Sequence, residues 1–99
     1  MLDMATSASA RHSSYMARFY FDVREGSRFV RDPEGEELDN DADAEAEAIE
    51  LALHIGRDRL PVSEARNVEI DVKNKNGELV LVVRASLEVM RVRKGERME

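Results

Sequence analysis

The hydrophobic period of this chain changes twice, from two residues to about 3.6 and back to two, and few folds accommodate that order. Phe19, Phe21 and Val23 alternate with Arg18, Tyr20, Asp22 and Arg24, the pattern of a half-buried strand. Glu25, Gly26 and Ser27 supply a tight turn, and Arg28 to Arg31 return as a short partner strand carrying Phe29 and Val30. Asp32-Pro33-Glu34-Gly35 closes that strand, since proline presets a turn and glycine tolerates its last position.

The next segment reads as a helix. Asn40 or Asp41 is a fitting cap, and carboxylates suit the positive end of the helix dipole. At 100° per residue Asp43, Glu47, Glu50, His54, Arg57 and Asp58 form a narrow polar stripe, with Ala48 and Ala52 near the middle of the apolar arc. The helix ends at Gly56 or continues to Leu60 before Pro61 stops it. Period two then resumes: Val68, Ile70 and Val72 alternate with Glu69, Asp71 and Lys73, Asn76-Gly77 signals a hairpin, and Leu79 to Val83 is apolar throughout.

The expected fold is therefore α+β: two hairpins, Arg18 to Arg31 and Val68 to Arg84, forming a four-stranded, mostly antiparallel sheet with one helix on one face (ββαββ). The expected core is Phe19, Phe21, Val23, Phe29, Ala48, Ile49, Ala52, Ile55, Val68, Ile70, Val72, Leu79, Leu81 and Val83. At 99 residues there is material for one such core, expected over residues 16–89. Residues 1–15 are small, polar and aperiodic and read as a disordered extension, with Met16 an alternative start, and 90–99 read as a charged tail.

Several motifs carry this order. Met16-Ala17-Arg18-Phe19-Tyr20-Phe21, then Asp32-x-x-Gly35-x-x-Leu38, Ala44-x-x-Glu47-Ala48, and a closing Val68-x-Ile70 with Gly77 and Val80 follow one another over most of the chain. Together they resemble a family of small bacterial proteins of unknown function that share an aromatic first strand, a D-x-x-G turn, an alanine-rich helix and a C-terminal hairpin. Asn74 stands where that family often has aspartate. The resemblance implies a fold and a bacterial, cytoplasmic setting, and transfers no catalytic residue.

Composition narrows the function classes. Cysteine is absent, which removes disulfides, thiolate nucleophiles and thiolate-bound metals. No run approaches the roughly 18 apolar residues of a membrane helix, so no membrane partner is expected. A net charge of −6 opposes a phosphate backbone, although charge is segregated: ten acids and no base lie between Asp32 and Glu50, while Arg84, Arg91, Arg93, Lys94 and Arg97 close the chain.

Three constellations invite sharper readings. Asp39, Asp41, Asp43 and Glu50 occupy positions 1, 3, 5 and 12 of a calcium loop, but Ala44 stands where that loop needs glycine, and acids at a helix start are accounted for by the dipole. His54 follows Glu50 by one helical turn, as a surface pair does. Tyr20 between Arg18 and Arg24 has the look of a base-stacking position, interrupted by Asp22. No nucleophile, phosphate loop or metal set is complete, so neither enzyme activity nor a cofactor is expected.

One helix cannot cover both faces of a sheet. Tyr20, Val80 and Val82 are expected on the uncovered side, which points to a non-catalytic module that associates with itself or with another protein. Two alternatives stay open: nucleic-acid binding through Tyr20 and the basic tail, and ligand or metal binding at the acidic helix entry.

Overall fold

A computed structural model describes residues 16–93; the readings for residues 1–15 and for 94–99 of the tail fall outside these residues. The chain runs β1 (Ala17–Glu25), β2 (Arg28–Val30), β3 (Glu36–Leu38), α1 (Asp41–Arg59), β4 (Asn67–Lys73) and β5 (Leu79–Ser86). The fold is α+β, with one helix and an antiparallel sheet of order β2-β1-β4-β5.

The sheet has five strands where four were expected. The additional strand, β3, pairs with the first residues of β1, Ala17↔Leu38 to Phe19↔Glu36, on the same edge that β2 occupies from Val23 to Glu25. Two acids and one leucine carry no strand signal. They become a strand because the Asp32–Gly35 turn brings the chain back alongside β1.

α1 begins at Asn40, whose side-chain oxygen accepts from the Asp43 amide at 2.8 Å, and runs past Gly56 to a C-cap at Leu60. Its buried stripe is small: Ala44, Ala48, Ala52 and Gly56. A Cβ on Gly56 would lie 3.4 Å from the Ala85 Cβ, so helix and sheet approach closely there. The helix lies over β4 and β5 alike, while Phe19 and Phe21 of β1 complete the core with Val68, Ile70, Val72 and Leu60.

Three residues assigned to the core lie elsewhere. Phe29 is 38% exposed, because the two-residue turn pairs Arg24 with Phe29 and Val23 with Val30, and directly opposed residues share a face. Val30, not Phe29, is on the helix side. Ile49 is 40% and Leu79 is 57% exposed, the one on a flank of the helix and the other at the start of the last strand.

Candidate functional site

The face of the sheet opposite α1 is a lattice of charges. Asp22 and Asp71 are Cα partners across β1 and β4, and both are buried, at 2% and 8% exposure. Two like charges in direct opposition destabilise a sheet unless each is neutralised. The partners come diagonally: Lys73 Nζ of β4 lies 3.0 Å from Asp22, and Arg24 of β1 donates to Asp71 at 3.1 Å. The Phe29 ring lies 4.6 Å from the Arg24 guanidinium carbon and 5.8 Å from Lys73 Nζ, so the misassigned phenylalanine packs against both cations. Arg84 donates to Glu69 at 2.7 Å and extends the lattice to β5.

Asp22 also holds the edge of the sheet. Its Oδ1 accepts from the Asp32 amide at 2.9 Å, and Asp32 in return accepts from the Phe21 amide at 3.1 Å. The Asp32 carboxylate thereby takes the place of a strand in the gap between β2 and β3. It accepts as well from the amides of Glu34 and Gly35 at 3.2 and 3.1 Å. Burial pushes the Asp32 carboxyl upward, but the amides of Gly35, Phe21 and Glu34 outweigh it and hold the group below the ordinary carboxylate range. Asn74 repeats the device at the second hairpin, accepting from the Asn76 and Glu78 amides at 2.9 and 3.0 Å. The D-x-x-G and N-x-x-G sequences thus act as turn clasps.

Tyr20, Val80 and Val82 do not form one patch. Tyr20 is half-buried, its ring close to Gly35, and is paired with Lys73. Val80 sits beside an irregularity in the β4–β5 register, between Leu81 opposite Val72 and Leu79 opposite Lys73, and is half-buried against the core. Val82 is 45% exposed and opposes Asp71, which with Lys73 separates it from Tyr20.

The remaining sequence candidates resolve into local structure. The acidic run at 39–43 surrounds the helix cap, and among the described residues no group of three or more acids and histidines could hold a metal ion. His54 pairs with Asp58 at 3.8 Å and not with Glu50. At the far end of the helix Arg59 donates to Glu25 at 3.0 Å, and this hydrogen bond keeps the Glu25 carboxyl below its usual range. Among the described residues no helix is long and apolar enough to cross a membrane.

The two edges of the sheet differ in length and charge. One edge is divided between β2 and β3, three residues each, and carries Arg28, Glu36 and Glu37. Short, charged, interrupted strands are how proteins block unwanted pairing. The other edge is β5, eight residues long, which pairs only with β4 among the described residues. Its one charged side chain, Arg84, is engaged with Glu69. Uninterrupted apolar content from Leu79 to Val83 is the signal this edge leaves in the sequence, and a strand covered on both faces leaves the same one. Beside β5 lies a groove of about 590 Å³, lined by Leu53, Gly56, Leu60, Ala85 and Leu87 among others.

No curated protein and no solved structure matches the chain. One family model does, over residues 18–86, which take in the helix and all five strands except Ala17. The chain therefore belongs to DUF6894, a family defined by a domain of unknown function.

Proposed function

We propose that the protein is a non-catalytic self-association module, cytoplasmic and bacterial as the sequence resemblance implies, which dimerises by pairing β5 with β5 of a second copy. The single observation that carries this reading is the open edge: eight residues of strand that pair on one side only among the described residues, opposite a second edge blocked by charge and interruption. Unpaired N–H and C=O groups on an apolar strand are a template for another strand, and a two-fold axis makes the same strand its own partner. The polar face has no comparable need, because its buried carboxylates already have cations.

Sedimentation equilibrium or light scattering on the full chain tests this. A dimer is expected at tens of micromolar, and Val82→Lys, which puts a charge at the middle of the edge beside Asp71, is expected to yield a folded monomer. A wild-type protein that stays monomeric at high concentration refutes the reading.

A further inference from the structure

We infer that α1 forms a second layer of the same interface, its flank Ala46, Ile49 and Leu53 packing against that flank of a second copy. This rests on the edge-pairing reading and adds to it a specific helix–helix contact.

The helix is asymmetrically covered. Its stripe of Ala44, Ala48, Ala52 and Gly56 faces the sheet, and Asp43, Glu47, Glu50 and His54 lie opposite, exposed. Of the two flanks between, one holds Leu51 and Ile55, both half-buried against the core. The other holds Ile49 and Leu53, 40% and 60% exposed. That second flank is on the β5 side, because Leu53 shares the groove with Ala85 and Leu87.

The position of the helix supplies the spacing. α1 lies over both β4 and β5, so its axis projects about half a strand spacing inside β5. Adding a paired β5 at about 4.8 Å places the second helix about two strand spacings away, or about 9.6 Å. Packed helices lie about 8–10 Å apart. Nothing needs to move for the two to meet.

The symmetry constrains the register. Opposed residues in antiparallel strands share a face, and the two-fold axis is perpendicular to the sheet, so both helices lie on the same side. Each residue then opposes one of the same parity, with a single residue at the axis. Gly56 is level with Ala85. Val82 lies about 10 Å back along β5, at about 3.3 Å per residue, which corresponds to between six and seven residues of helix at about 1.5 Å each. An axis through Val82 therefore passes close to Ile49. The antiparallel helices also bring the acidic first turn of one copy, Asp41 and Asp43, toward the end of the other that carries Arg57.

The area points the same way. A strand edge about 26 Å long and about 10 Å thick offers only about 260 Å² of projected contact, against about 800 Å² per partner in a standard interface. A helical layer about 10 Å thick doubles it.

The chain has no cysteine, so a single introduced thiol reports on the contact. At about 9.6 Å between axes, facing Cα atoms on cylinders of about 2.3 Å radius are about 5 Å apart, within disulfide range. Ile49→Cys is expected to give a disulfide-linked dimer under mild oxidation, while His54→Cys on the solvent face does not. Leu53→Glu is expected to weaken the dimer by about tenfold or more and serves if the cysteine variant fails to fold. If Val82→Lys abolishes a wild-type dimer but Ile49→Cys does not cross-link and Leu53→Glu leaves dissociation unchanged, the helical layer is wrong and edge pairing stands. If the wild type is a monomer, both fall.

Discussion

Gly35→Ala should unfold this domain far more readily than the same change at Gly77, although both glycines close turns of the same D/N-x-x-G form. Both have positive φ, +71° at Gly35 and +82° at Gly77, and alanine in that region costs about 1 kcal/mol at either site. Their surroundings differ. A Cβ at Gly77 meets nothing within 4 Å, whereas at Gly35 it would lie 2.7 Å from the Phe19 carbonyl oxygen and 2.9 Å from Cε2 of Tyr20. The carbonyl belongs to β1, held between β3 and β4, so relief requires moving a paired strand, and overpacking of this kind adds about 1–3 kcal/mol. Gly35→Ala should therefore cost about 2–4 kcal/mol in all and Gly77→Ala about 1 kcal/mol. Urea unfolding followed by far-UV circular dichroism, at one fixed protein concentration, measures both. For a domain of this size the larger loss lowers the thermal midpoint by about 8–30 °C. Two variants equal within about 0.5 kcal/mol would show that the left-handed backbone alone matters, and that the close approach of the turn to β1 is not a constraint.

Three further outcomes follow from the polar contacts. Asp32→Ala removes the acceptor of three amides, and because the carboxylate is partly open to water the expected cost at neutral pH is about 2 kcal/mol. The Asp32 carboxyl is lower in the folded protein than in the unfolded chain, so its contribution is complete above the ordinary carboxylate range and disappears as pH falls through the folded value. The gap between wild type and variant in urea titrations should accordingly narrow from pH 6 toward pH 2, and a constant gap would contradict the assignment. Lys73→Met leaves Asp22 buried without its cation, at a cost of about 1–3 kcal/mol, less than for a fully buried pair because the lysine is partly exposed; an unchanged urea midpoint would count against the diagonal pairing. Asn40→Ala removes the helix cap and should cost about 1 kcal/mol, read by the same titration; an unchanged urea midpoint would count against the cap.

Much of the fold was legible in local chemistry. Alternation marked β1 and β4, Asn76-Gly77 marked the last hairpin, and the alanines of α1 marked the face that meets the sheet. These signals survive because each depends on near neighbours: side chains two apart in a strand or four apart in a helix share a side whatever else the chain does. Turn geometry, cross-strand register and edge position depend instead on residues far apart in sequence. The Gly26-Ser27 turn set Arg24 opposite Phe29 and so put the phenylalanine against two cations, which no hydrophobicity scale distinguishes from burial.

The amino-acid order by itself determined four of the five strands, the helix, and that one apolar layer joins them, since period and turn chemistry are local. Only the tertiary structure decided that the second face is neutralised by diagonal ion pairs, that β3 exists, and that Leu79 to Val83 forms an outer edge and not a covered centre. An apolar strand looks the same in sequence wherever it lies in a sheet; its neighbours alone make it central or leave it open to another chain.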